Sequence, residues 1–338
     1  MRLSTLLISA FLASAAIISA TNESKAWGKF GHLTVCDLAY RNFTDETRKQ
    51  LRVLFQISTG GIDVEGRGQL PDRHYTSFNM GCLEEDEMPR QHQEDHFINV
   101  DRTTKAISTG ECPGTGSCIL AGVDRDFGIL KDKTKSNEER VFALMALGHW
   151  IGDIHQPLHV SFADDRGGNG IDVQLTGKCG TASNKPKNLH AVWDNCLLDA
   201  GMFQRVRKRA DYKKSWSRFT ITYRAVDTLL AKTTLSKEKA LVGTDPHIWA
   251  AESYDITLSP EVRYCVLVGE ACQYSASAVT LARNGQKRLE NLDQAYLAAF
   301  EQVAQERVRN AGFRLAHIVN LALDPGYSEP VQNSTQAP

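Results

Sequence analysis

The strongest constraint in this chain is a helical segment that carries ionisable side chains on its apolar face. From about residue 137 to about residue 154, apolar residues recur at helical spacing, with Val141, Leu144, Met145 and Gly148 as the stripe. His149 and Asp153 continue that stripe, because residues four apart project from one face of a helix. An imidazole and a carboxylate aimed into a core are costly unless they are paired or bind a metal. A lone core histidine is usually a packing residue, but this one has company. The segment runs into His155-Gln156-Pro157-Leu158-His159, where Pro157 must end or kink the helix and turn His159 in a new direction. Further on, Asn188-Leu189-His190-Ala191-Val192-Trp193-Asp194 repeats the His-x-x-x-Asp spacing. Neutral imidazole and ionised carboxylate suit zinc, and two such pairs with a histidine between them point to a metal centre rather than to packing.

The surrounding sequence predicts a mainly helical chain. Helical spacing recurs at 33–40, 45–55, 198–231, 236–252 and 276–322, with Thr44 as an N-cap before Asp45 and Glu46. Ile171, Val173 and Leu175 alternate with polar residues, the pattern of a strand or small β-hairpin. Residues 57–72 are Gly-rich, 80–95 acidic and 101–122 rich in Cys, Gly and Thr, so all three read as long surface loops. No repeat, heptad or internal linker divides the chain. The expectation is one mainly α domain over 27–323 and a loose tail over 324–338.

The first 26 residues read as an export signal. Arg2 gives a basic start, Leu6 to Ala20 is apolar, and Ser24-Lys25-Ala26 is a small-x-small cleavage pattern. That run is short and small-residue-rich for a membrane span, which needs about 20 residues. Secretion to the medium and retention in a periplasm are both compatible with it. All eight cysteines follow the signal, and an even count on an exported chain suggests disulfides among about 105 pairings. Short separations favour Cys112–Cys118, Cys179–Cys196 and Cys265–Cys272, leaving Cys36 with Cys82. The formal net charge is −1; removing the signal takes away two basic side chains and one acidic, leaving −2. A chain that grips a polyanion by general electrostatics usually shows a basic excess. Any phosphate grip here must come largely from bound cations.

The ordered motifs resemble the zinc-dependent single-strand-specific nucleases and 3′-nucleotidases (the nuclease S-one/P-one family). The match opens on Trp27-Gly28-Lys29-Phe30-Gly31-His32 and passes through Gln69-Leu70-Pro71-Asp72 and His96-Phe97-Ile98-Asn99. It peaks over 148–159, continues through Gly167-Gly168-Asn169 and 188–194, and ends on Ala311-Gly312-Phe313-Arg314-Leu315-Ala316. The resemblance implies the helical fold shared with zinc phospholipase C and three zinc ions per chain. Asp72, His96, His149 and Asp153 would hold one ion. Trp27, through a free amino group and carbonyl, would hold a second with His32 and a bridging Asp153. His159, His190 and Asp194 would hold the third. The Trp27 role requires cleavage between Ala26 and Trp27, where the signal pattern places it.

The resemblance further implies a monomeric endonuclease that cuts single-stranded DNA and RNA to 5′-mononucleotides and also acts on 3′-nucleotides. The ions would activate a water and offset phosphate charge. Asp153 would be catalytic as the bridging carboxylate. Asn99 stands where fungal members carry Asp; it can hydrogen-bond water or substrate but cannot act as a base. Tyr75 stands where the fungal pattern has Arg, and nearby Arg73 is the candidate for that phosphate contact. Phe97 would stack on a base, and Asn169 would contact substrate. His74, His92, His247 and His317 read as surface or packing residues, and His155 as a support for the ligands or a structural residue. Two rival functions remain: a zinc phospholipase C acting on lipid headgroups, and a secreted metal-binding protein without catalysis. No amphipathic helix with a membrane-inserting face stands out.

Overall fold

Helix α1 (Lys29–Arg41) is buried from Gly31 to Tyr40. Helix α2 (Asp45–Leu54) starts on Thr44, whose hydroxyl accepts from the Thr47 N–H. The computed structural model describes residues 27–55, 78–87, 90–179, 185–231, 245–264, 266–268, 271–273 and 288–328. The signal segment, Asp72, Arg73, His74, Cys265 and residues 329–338 therefore lie outside the described residues.

Strand β1 (Ile98–Val100) precedes helices α3 (Ile119–Lys131) and α4 (Asn137–Ile154), which pack on each other. Ser136 and Glu139 close a full capping box at the start of α4. The helix is buried continuously from Ala146 to Ile154 and then gives way to the 3-10 turn Pro157–His159, as the proline predicts. Strand β2 (Val160–Phe162) follows and pairs in parallel with β1, placing Asn99 opposite Ser161. After strand β3 (Ile171–Leu175) comes a helical run with widened π turns at Val192–Cys196 and Asp199–Phe203. Helices α5 (Arg218–Ala231) and α6 (Pro246–Leu258) come next. Strands β4 (Val266–Val268) and β5 (Ala271–Gln273) pair antiparallel, and strand β6 (Arg288–Leu292) leads into helix α7 (Gln294–Leu323). Helix α7 packs along α1 and α4.

Trp27, Trp150, Trp193 and Trp249 are completely buried. An aromatic side chain buries about 150–250 Å², which at about 25 cal/mol per Å² contributes about 4–6 kcal/mol before entropy. Trp150 thus anchors α4 by packing, independently of any ion. A polar clamp closes the far end of the same helix. Arg314 Nη1 donates to His155 Nε2 at 2.8 Å, and His155 Nδ1 donates to the Ile151 carbonyl at 2.7 Å. Arg307 Nε donates to the His155 carbonyl at 3.2 Å, and both arginines pair with Glu252 on α6. Burial holds the His155 pKa well below its usual value, and its role is structural.

Several sequence expectations change in detail. The strand at 171–175 forms, but it pairs in parallel with β6 instead of folding back as a hairpin; the hairpin present is β4–β5. Helix α7 begins at Gln294 because 288–292 is that partner strand. The helix expected over 198–231 is interrupted after Arg207 and resumes at Arg218. Of the helix expected over 236–252, residues 236–244 lie outside the described residues; α6 begins at Pro246, where a fixed φ suits the first turn, and Asp245 caps it. The loop expected to reach 122 ends where α3 begins at Ile119. The acidic stretch 80–95 is not simply a surface excursion: Glu85, Asp86 and Asp95 are buried. Disulfides join Cys36–Cys82, Cys112–Cys118 and Cys179–Cys196. The proposed Cys265–Cys272 bond lies outside the described residues. Among the described residues, no helix is long and apolar enough to cross a membrane.

Candidate metal centre

Asp153, fully buried on α4, sits among four imidazoles. Its Oδ2 is 3.1 Å from His96 Nδ1, 3.4 Å from His149 Nε2 and 3.7 Å from His159 Nδ1, while its Oδ1 is 3.1 Å from His32 Nε2. Helix α1 supplies His32, which stacks on His149 with ring centres 4.0 Å apart. The 3-10 turn Gln93–His96 supplies His96 directly before β1. Gly152 lets α1 approach this closely, since a Cβ there would stand 2.7 Å from His32 Nδ1.

Backbone carbonyls hold two of these rings, and that of His190, from behind. His149 Nδ1 donates to the Cys82 carbonyl at 2.8 Å, His190 Nδ1 to the Gly167 carbonyl at 2.7 Å, and His159 Nδ1 to the His96 carbonyl. Each bond selects the tautomer that leaves Nε2 bare. Gly167 reaches His190 through a left-handed turn (φ 65°), and its Cβ would strike the Leu158 carbonyl oxygen at 2.4 Å. The bare Nε2 atoms of His159 and His190 then face each other at 3.1 Å, and His190 Nε2 is 3.5 Å from Asp194 Oδ2. Two lone pairs at that separation repel unless a cation lies between them.

Among the described residues three buried donor groups emerge, each with its ligand atoms within 4.8 Å of one another: His32, His149 and Asp153; Asp86, His96 and His149; His159, His190 and Asp194. Both ring nitrogens of His32, Nε2 of His96, Oδ2 of Asp86 and Oδ1 of Asp153 are buried without a hydrogen-bond partner. Burial pushes the His32 and His190 pKa values down to about 4 and lowers those of His96, His149 and His159. Burial likewise raises Asp153 well above the carboxylate range. Neutral imidazoles are the metal-binding form, and a divalent cation is the counter-charge that returns Asp153 to its carboxylate. The donor set fits zinc.

The structure brings together His32, His96, His149, Asp153, His159, His190 and Asp194, seven of the nine ligand candidates named in the sequence. Trp27 is buried at the head of α1, and the neighbouring Gly28 N–H donates to the Asp194 carbonyl at 2.9 Å, which sets the head of α1 against the third group. Asp72 and Arg73 lie outside the described residues. Phe97 and Asn99 are half-buried beside His96. Asn169 is engaged within its loop, donating to the Arg166 carbonyl at 2.8 Å and accepting from Asn188 at 3.3 Å. Two residues escaped the sequence reading. Asp86, 2% exposed, accepts from Arg90 at 2.7 Å and faces His149; its place in an acidic run hid it, and only its position four after Cys82 hinted at burial. Gln156 Nε2 donates to Asp194 Oδ1 at 2.6 Å, while its Oε1 accepts from the Leu158 N–H at 2.7 Å and shapes the turn that carries His159.

A helical protein with buried clusters of neutral histidines and carboxylates around a shared aspartate belongs among metal-dependent hydrolases. The comparisons narrow this: residues 27–324 match the S1/P1 nuclease family, and the chain belongs to it. Endonuclease 4 of Arabidopsis thaliana is 26% identical over 307 residues, covering 88% of this chain and 90% of the relative. Nuclease S1 of Aspergillus oryzae is 26% identical over 185 residues, covering 54% and 58%, and Nuclease P1 of Penicillium citrinum is 25% identical over 174 residues, covering 51% and 58%. The protein is a nuclease, a hydrolase of phosphodiester bonds in nucleic acid, of a zinc-dependent family.

Proposed function

We propose that this chain is an exported, monomeric endonuclease that uses three zinc ions to cut single-stranded DNA and RNA to 5′-mononucleotides, and that it also releases phosphate from 3′-nucleotides. The observation that carries this reading is the set of partnerless buried donor atoms on His32, His96, Asp86 and Asp153, beside the facing nitrogens of His159 and His190. One ion would sit among His96, His149, Asp153 and a further carboxylate. Asp72 of the sequence motif is one candidate for that last place, and Asp86, whose Oδ2 is buried and unpaired, is another. A second would use His32, Asp153 and the Trp27 amine once the signal is removed before Trp27. His159, His190 and Asp194 would hold the third. Bound there, zinc supplies Lewis acidity toward the phosphate and lowers the pKa of a water.

The protein's own residues do the rest. Asp153, set between His32 and His96, would serve both of the first two positions. Gln156 and the Gly167 carbonyl fix the donors of the third. Asn99 orients water or phosphate by hydrogen bonding without taking a proton, Phe97 offers an aromatic face to a base, Arg73 pairs with phosphate, and Asn169 contacts substrate through its loop. A slightly acidic protein can hold a polyanion this way because the bound cations, not the surface, supply the positive charge.

The test is digestion of single-stranded DNA by the mature protein as prepared, after chelation, and after zinc is restored. Cleavage to 5′-mononucleotides that chelation abolishes and zinc restores is the expected result. No cleavage with zinc fully loaded sinks the proposal and turns attention to phospholipid substrates. Counting zinc in D86N and D72N separates the two candidate carboxylates: the variant that loses one ion identifies the ligand.

A further inference from the structure

We infer that the Cys36–Cys82 disulfide is a positioning element for the two-ion half of the centre and does not serve stability alone. The inference rests on the zinc reading above. Three ligand-bearing segments meet at this one bond. His32 lies four residues before Cys36 on α1, one helical turn away on the same face. Asp86 lies four residues after Cys82, in a segment whose regular structure is a helical turn at 78–81 and the 3-10 turn Glu84–Asp86. The Cys82 carbonyl accepts from His149 Nδ1 at 2.8 Å, so the half-cystine's own backbone sets the tautomer of a ligand. Helix α4 also rests on the sulfurs: a Cβ on Gly148, the residue before His149, would stand 2.4 Å from Cys82 Sγ and 2.8 Å from Cys36 Sγ.

Both half-cystines are fully buried. Besides the bond, the 78–87 segment meets α1 through Asn79 Nδ2 donating to the Leu33 carbonyl at 2.9 Å, the exposed Lys29–Glu87 ion pair at 3.1 Å and the Tyr40–Phe78 ring contact. A shift of the Cys82 backbone therefore displaces the acceptor behind His149 and the Asp86 carboxylate together. The third group has separate supports in Gln156 and the Gly167 loop, which do not involve this bond. Groups that orient metal ligands change affinity about 10–100-fold when removed. The brace thus acts on two ions and spares the third.

The experiment is a chelator competition on the zinc-loaded mature chain, counting bound zinc in the wild type, in C36S/C82S, and in C112S/C118S as a disulfide control. The expected result is that C36S/C82S gives up two ions at about 10–100-fold lower chelator concentration and keeps the third, while the control follows the wild type. Unchanged zinc affinity in C36S/C82S, with only its melting temperature lowered, overturns the inference. Should that variant fail to fold, the unmodified protein answers by reciprocity: whatever factor the bond adds to zinc affinity, zinc must add to the stability of the bond. Mild phosphine reduction followed by thiol alkylation and mass spectrometry should then show Cys36 and Cys82 labelled more readily after chelation, with Cys112 and Cys118 unaffected. Equal labelling with and without zinc overturns it as well. A wild type that takes up no zinc sinks the zinc reading itself, a result distinct from either.

Discussion

Replacing Gly152 with alanine separates the stability of the helix from the geometry of the metal centre. The added Cβ would stand 2.7 Å from His32 Nδ1 and 2.9 Å from His32 Cε1. Ordinary contact needs about 3.5 Å, so the ring must recede by roughly 0.8 Å. It is already stacked on His149 at 4.0 Å and set 3.1 Å from Asp153, which constrains it on two further sides. Two opposing effects act on the zinc-free fold. Alanine favours a helix over glycine by about 1 kcal/mol, and overpacking costs about 1–3 kcal/mol. The net loss is about 0–2 kcal/mol, so the apo protein should remain folded with a small drop in melting temperature. Zinc should suffer more, because displacing His32 moves a ligand itself. A 10–100-fold loss of affinity corresponds to about 1.4–2.8 kcal/mol. Calorimetry with and without zinc, alongside zinc counting after dialysis, reads both effects. A G152A protein that keeps every ion at wild-type affinity would refute the argument that this close approach positions His32.

Three other outcomes follow from the same geometry. Q156A removes the 2.6 Å donor to Asp194, and should weaken one ion about 10–100-fold while the other two stay bound; zinc counting under chelator competition checks it. Chelation of the wild type should lower stability by about 2.7 kcal/mol for each ion held at a hundred times its dissociation constant, and restored zinc should recover the melting temperature. Burial opposes the charged form of Glu252, but its hydrogen bonds and ion pairs with Arg314 and Arg307 prevail and hold its pKa below the ordinary value. With the folded pKa depressed, that stabilisation is present above about pH 4.3 and lost as pH falls through the folded value. E252Q should therefore be less stable than the wild type at neutral pH, by about 2 kcal/mol given a side chain 36% exposed, and the gap should narrow at an acid pH below about 4.3. An equal gap at both pH values would refute the assignment.

Most of the centre was legible because its donors lie on short-range patterns. His149 with Asp153 and His190 with Asp194 show themselves through the spacing of a single helical turn, and Ser136, Glu139 and Pro157 mark the limits of α4. What escaped depends on long-range contacts. Asp86 sits in Glu84-Glu85-Asp86-Glu87, a run that reads as a solvated face, and it becomes a candidate ligand only once Cys82 is tied to Cys36. The strand at 171–175 was visible from its alternation, but nothing local announces a partner such as Leu292, bonded to Thr176 across 116 residues. The same pairing explains the misplaced start of α7: residues 288–292 were read as helix and are the partner strand. His155 looked ambiguous until Arg314, 159 residues away, accounted for its second nitrogen.

The late position of α7 has a consequence for the order of assembly. Every donor assigned to the metals lies between Trp27 and Asp194, yet the helix that packs along α1 and α4 spans Gln294–Leu323. A chain emerging from the ribosome or an export channel presents the donors well before the surface that seals them arrives. Contacts of such long sequence separation form slowly, and the ladder that delivers α7 closes only when nearly the whole chain is free. On the zinc reading proposed above, commitment to metal would fall at the end of synthesis, and a chain cut short before Gln294 would carry the candidate ligands without the wall that covers them.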